Sequence, residues 1–138
     1  GFDIQREAVE QTRSRLERAG CTEQAVLICD SHENMADYVK DQASVIMFNF
    51  GYLPGGDHSV ATRPETSLKA VEAGMKLLRT GGVMSLCIYS GGDTGYEEKT
   101  ALLARLKELD TKQWLVIVHS YYNRKNDPPL PVFVIRLS

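Results

Sequence analysis

Cysteine is scarce in this sequence. Its three cysteines, Cys21, Cys29 and Cys87, are scattered and odd in number. No C-x-x-C pair occurs, which weighs against a disulfide framework or a clustered zinc site. Cys29 and Cys87 lie in apolar runs and read as small buried residues. No stretch approaches the ~18 unbroken apolar residues of a membrane helix, and no secretory leader is visible. A reduced, cytoplasmic setting is therefore expected. Excess charge is lacking too. The formal net charge of −2 is not the basic footprint of a general nucleic-acid binder, although a local basic patch stays open. Glycines occur at "YLPGGD", "RTGGV" and "YSGGDTG", yet none has G-x-G-x-x-G spacing, and no Walker loop or G-x-S-x-G elbow exists. "RTGGV" reads as a helix stop. His32, His58 and His119 lie on three different units without H-x-x-x-H spacing, so no metal site is expected.

What is present is strand–helix alternation in 138 residues, enough for one domain spanning 1–138. "GFDIQ" reads as a strand end, and because it has no lead-in turn, upstream sequence is expected. Helical spacing follows over 6–19, with Gly20 as its stop. Strands are predicted at 25–30, 44–50, 81–89, 114–122 and 131–137. Helices are predicted at 34–42, 64–78 and 96–109, the second capped by Thr62 with Pro64 in its first turn. This alternation predicts an α/β fold with a mostly parallel, Rossmann-like sheet and helices on both faces. The last two strands have no helix between them and are expected to form an antiparallel hairpin.

Ligands of open parallel sheets bind beyond the carboxyl ends of the strands. Asp3, Ile4 and Gln5 follow the first strand; Asp30, Ser31 and His32 follow the second. A carboxylate at position 3 can accept the two hydroxyls of a ribose, or it can cap a helix. Asp30 offers the same choice, between an adenine amine and a cap. After the third strand comes a dense polar block, "NFGYLPGGDHS" (49–59). Asn49 carries one acceptor and two donors. Gly51 lets a backbone carbonyl approach a ligand, and Tyr52 offers a flat ring. Asn49, Phe50, Gly51 and Tyr52 could clamp an amine; the alternative is an ordinary loop. His58, beside Asp57, is a candidate for chemistry, whereas His119 reads as structural. Tyr89 ends the fourth strand, and Tyr121, Tyr122 and Asn123 end the fifth.

In order and spacing, "GFDIQ", "CDSHENM", "NFGYLPGGDHSVATRPETS", "GGVMSLCIYSGGDTGYEE" and "YYNRKNDPPLPVFVI" resemble the bacterial family long labelled putative ribosomal-RNA methylase. The resemblance covers essentially the whole chain. It implies a class I methyltransferase sheet of seven strands, order 3-2-1-4-5-7-6, with the seventh antiparallel. The strands read here match numbers two to seven. Number one and its glycine-rich loop are absent. The resemblance also implies S-adenosylmethionine as cofactor and the aminomethyl group of a transfer-RNA wobble uridine as substrate. Carried over, Asp3 would hold the ribose, with Ile4 packing on the adenine and Gln5 also at the cofactor. Asp30, Ser31 and His32 would form the adenine-end loop. Asn49 to Tyr52 would stand where amino-methyltransferases carry Asn-Pro-Pro-Tyr, so that Asn49, Gly51, Tyr52 and His58 are the catalytic candidates and Asn49 and Phe50 also touch the cofactor. Tyr52, Asp57, Tyr89, Tyr121, Tyr122 and Asn123 would meet the base. Arg63, Arg124 and Lys125 would meet phosphates around the anticodon. A homodimer is left open. Three other readings stand beside this one: a small-molecule methyltransferase, which the weak overall basicity favours; a nucleotide-binding module without catalysis; and a piece that binds nothing without its central strand.

Overall fold

Two parallel strands, β3 (Ala43–Phe50) and β4 (Leu78–Ile88), form the spine on which the sheet's chemistry is arranged. The computed structural model describes residues 1–50, 63–90, 95–126 and 128–138. Along β3, Phe48 and Phe50 are buried while Met47 and Asn49 are exposed. That period of two puts Asn49 on the face opposite the core. β4 pairs on its other side with β6 (Leu130–Arg136), which runs antiparallel and pairs in turn with β5 (Trp114–Val118). The order is β3-β4-β6-β5, so within this sheet only β6 runs against the rest. The expected C-terminal hairpin is present.

β1 (Phe2–Asp3) and β2 (Ile28–Cys29) form a separate parallel pair. Among the described residues no strand joins β1 to β3. The pairings β1-β2 and β3-β4-β6-β5 are those expected within each part of the sheet. The segment read as a strand over 25–30 contributes only two residues to the pairing. With one short neighbour, there are few partners to hold more of it extended. The same reason corrects the reading of Cys29, which is exposed rather than buried. All three cysteines are free thiols.

The three long helices form within two residues of where periodicity predicts them. α1 (Arg6–Ala19) ends at Gly20, whose φ of 67° is the left-handed cap that glycine takes without strain. The short helix expected over 34–42 is instead a 3-10 turn, His32–Asn34, followed by α2 (Met35–Tyr38). α3 (Pro64–Leu77) begins at Arg63; Thr62, the expected cap, lies outside the described residues. Thr66 Oγ holds the entry by accepting from Arg63 N–H and donating to Arg63 C=O. The glycines of "RTGGV" do not stop this helix. They lie inside β4, where the pairing with β3 jumps from Ala43–Leu78 to Val45–Val83 and Gly81 takes φ 75° to make the jump. α4 (Gly95–Lys107) completes the set.

α3 and α4 cover one face of the sheet. Their stripes, Ala70, Val71, Met75, Leu102 and Leu106, bury against Phe48, Leu86, Ile88, Val132 and Val134. Each of these side chains except Ala70 contributes about 1.5–3 kcal/mol by leaving water. α3 lies close because Gly74 has no side chain: a Cβ there would sit 3.1 Å from Met84 Sδ and 3.4 Å from Phe48. On the opposite face Val45, Met47, Leu115 and Ile117 are exposed. At the amino end of β5, the Arg136 guanidinium lies over the Trp114 ring, 5.8 Å from its centroid.

Candidate functional site

The carboxyl ends of β1, β2, β3 and β4 converge, and His32 shows how. It follows β2, yet its ring meets Phe48 and Phe50 of β3 edge-on, at centroid distances of 6.0 and 5.8 Å. The two phenylalanines are themselves stacked, 5.1 Å apart. Burial pushes the His32 pKa down; the carboxylates of Glu33, Glu98 and Asp3 oppose this. The imidazole is therefore neutral at neutral pH, and its Nε2 is buried with no hydrogen-bond partner among the described residues.

At the tip of β1, Asp3 Oδ1 accepts the Gln5 N–H at 2.8 Å. This bond orients the carboxylate at the start of α1, with Gln5 as the capping residue. Oδ2 makes no bond among the described residues, and Ile4 beside it is exposed. The Asp3 bond goes to the N–H of the capping residue rather than to the first turn of the helix, so Asp3 braces the entry of α1 without capping it.

Asp30 is different. Its Oδ1 accepts from Ser31 N–H at 2.7 Å and Asn34 Nδ2 at 3.1 Å, while Oδ2 accepts from the Tyr38 hydroxyl at 2.7 Å. Three of roughly four acceptor positions are filled by its own loop. These bonds, that of Tyr38 first, hold the Asp30 pKa below its ordinary value. The same bond raises the Tyr38 pKa, so the phenol stays protonated. The Tyr38 ring also rests edge-on against Phe2, 5.7 Å away, which ties the β2 loop to β1. Ser31 caps the 3-10 turn through Glu33 N–H. Of the two roles open for Asp30, the geometry favours the cap.

At the β3–β4 tip, Asn49 lies opposite Cys87 in register, and both face Tyr89. Asn49 and Cys87 both lie near the Tyr89 phenol, whose pKa is pushed up by burial first. The Phe50 ring belongs to the core, which leaves only its backbone for a ligand. Gly51, Tyr52, Asp57 and His58 lie outside the described residues. Arg63 is exposed at the entry of α3.

The β5–β6 connection carries the remaining candidates. Tyr121, Tyr122, Asn123, Arg124 and Lys125 are all exposed. His119, expected within β5, follows it instead: its N–H bonds Pro131 C=O at 2.9 Å and its ring packs edge-on against Phe133. That is the structural role expected of it.

Sequence reasoning missed one pair. Glu98 and Ser67 are buried together, and the Ser67 hydroxyl donates to Glu98 Oε1. The signal was available. Glu98 precedes Leu102 by four residues and Leu106 by eight, so it lies on the buried stripe of α4.

A family model described as "Putative rRNA methylase" matches residues 1–135. The chain belongs to the rRNA methylase family. One relative, the chloroplastic tRNA (mnm(5)s(2)U34)-methyltransferase of Arabidopsis thaliana, is 37% identical over 140 residues, covering 96% of this chain and 49% of its own. The chain spans about half the length of that curated relative. Among solved structures, an rRNA methylase family protein from Clostridium thermocellum superposes with a TM-score of 0.95 at 43% identity, over 99% of this chain and 73% of its own. A Streptococcus mutans methyltransferase crystallised with SAH superposes at 0.91 with 35% identity, over 99% and 74% respectively. The fold is accordingly the Rossmann-like class I methyltransferase sheet, mostly parallel with an antiparallel C-terminal strand. Among the described residues no helix is long and apolar enough to cross a membrane, and no three His, Cys, Asp or Glu side chains gather as a metal site.

Proposed function

We propose that this chain forms the cofactor-binding and reacting part of an S-adenosylmethionine-dependent N-methyltransferase. Its substrate is RNA, at the aminomethyl group of a transfer-RNA wobble uridine. The observation that carries this is the likeness to the Arabidopsis enzyme along 96% of the chain, joined to an exposed Asn49 at a strand tip. The residues present fit the cofactor. A free carboxylate oxygen on Asp3 and an exposed Ile4 stand side by side at the tip of β1, as a ribose and an adenine face require. Ser31 and His32 would close the adenine end. Bound there, S-adenosylmethionine would supply an activated methyl carbon to the amine nitrogen and leave as the thioether.

The protein has to align the amine, keep it neutral and exclude water. Asn49 would accept an N–H of the amine on its Oδ1. The Phe50 or Gly51 carbonyl accepts the second N–H, and the lone pair is then directed. Partial desolvation at the tip disfavours the ammonium form. Tyr52 would flank the uracil, and Asp57, His58 or water would take the proton. Tyr89, Tyr121, Tyr122 and Asn123 would border the base, while Arg63, Arg124 and Lys125 would meet phosphates.

The test is methyl transfer from labelled cofactor to transfer RNA that lacks the terminal methyl group, beside a panel of small amines. Label in the RNA, at the wobble nucleoside after digestion, is the expected result. Label only in small amines would replace the RNA reading with the small-molecule one. Cofactor binding without any transfer would leave a binding module.

A further inference from the structure

Ser67 and Glu98 occupy matching places. Each is the fourth residue of its helix, Ser67 in α3 and Glu98 in α4. Each helix returns the chain from a strand tip, α3 from β3 and α4 from β4. The Ser67–Glu98 hydrogen bond therefore joins the first turns of the two helices that follow β3 and β4. Ser67 is fully buried and Glu98 is 2% exposed.

The start of α4 is fastened to the tip of β4 at two further points. Gly95 packs on the backbone there: a Cβ would sit 3.1 Å from both Tyr89 O and Ser90 C. Lys99 Nζ lies 3.4 Å from Ser90 Oγ. On the other side, the charge of Glu98 reaches His32. Glu98 thus stands where the loop after β2, the start of α3 and the start of α4 meet.

A carboxylate is rare on a buried stripe whose other members are Leu102 and Leu106, and it stays there only with partners such as the Ser67 hydroxyl. We propose that Glu98 is a positioning residue for methyl transfer. Through Ser67 it fixes where the chain returns from the tip of β3, and so the geometry in which Asn49 meets the amine. This rests on the reading of the Asn49 tip given above.

Glu98→Leu, Glu98→Gln and Ser67→Ala test it, by kinetics and by hydrogen–deuterium exchange of the peptide over 63–70. Glu98→Leu leaves the buried Ser67 hydroxyl without its acceptor and is expected to fold with a lowered unfolding temperature. Its kcat is expected to fall about tenfold or more while cofactor affinity stays within about threefold. Glu98→Gln keeps an acceptor for the Ser67 hydroxyl and is expected to recover most of kcat. Ser67→Ala is expected to lower kcat in the same direction as Glu98→Leu. Exchange over 63–70 is expected to rise in Glu98→Leu and return in Glu98→Gln. A folded Glu98→Leu with wild-type kcat overturns the proposal, as does a Glu98→Gln no better than it. Should Glu98→Leu fail to fold, an unaltered kcat in Ser67→Ala overturns it equally. Should the wild-type protein transfer no methyl group to RNA, the substrate reading has failed; exchange over 63–70 still decides on Glu98, and no difference among the variants overturns it.

Discussion

The His32 imidazole meets the Phe50 ring edge-on at 5.8 Å, held between the loop after β2 and the end of β3. Burial makes the folded imidazole a weaker base than in the unfolded chain, whose value is 6.5. The unfolded state therefore binds the proton more readily. Stability from this contact is complete above pH 6.5 and is lost as pH falls from there through the depressed folded value. Thermal unfolding at about pH 5 should come at a lower temperature than at about pH 7.5, and His32→Gln should flatten the difference. An unchanged slope in the variant would mean that His32 is not the group responsible.

Asn49→Ala removes the acceptor at the strand tip without touching the core. Its kcat should fall by about two orders of magnitude, or ~2.7 kcal/mol of activation free energy. Cofactor affinity should stay within about threefold by calorimetry. Tyr89→Phe, which removes only the hydroxyl near the amide, should cost less than Asn49→Ala.

Asp3→Ala should act on the other quantity. A hydrogen bond to a charged group contributes about 1.5–3 kcal/mol, so cofactor affinity should weaken about ten- to hundredfold. Equal affinity in variant and wild type would remove the ribose from Asp3.

Asp30→Asn and Tyr38→Phe separate the cap from the ligand contact. Both should lower the unfolding temperature, since the Tyr38 hydroxyl and Asp30 Oδ2 are partners at 2.7 Å. Neither should weaken cofactor binding if Asp30 serves its own loop. Weaker binding in Asp30→Asn alone would restore it to the adenine.

Tyr122 projects fully into solvent beside Arg124 and Lys125. Tyr122→Ala should weaken RNA binding by about 1–3 kcal/mol if a base stacks there, and leave cofactor binding alone. Arg124→Ala should instead reduce the salt dependence of RNA binding.

The long elements were legible because their apolar residues repeat over many turns or pleats. Gly20 stopped α1 where a left-handed cap is needed, and the strand over 44–50 was foreseen to within a residue of β3. The loop after β2 was harder to read. Asp30, Asn34 and Tyr38 look helical by spacing, yet their side chains bond one another and hold a 3-10 turn. "RTGGV" carries the composition of a helix stop, and only the irregular pairing with β3 shows why the glycines are in a strand. Residues at the strand tips could be named in advance because topology decides which ends face the ligand. The Ser67–Glu98 bond spans 31 residues, and nothing local announces such a pairing.

Trp114 is the protein's single tryptophan. It begins β5, the end of that strand remote from the tips, and lies beneath the Arg136 guanidinium. Intrinsic fluorescence will therefore follow the opening of the C-terminal hairpin while remaining nearly blind to a small molecule arriving at Asp3 or Asn49. An emission change on adding cofactor would accordingly signal a rearrangement carried along β5 and β6, and titrations of binding need an introduced fluorophore or a calorimeter.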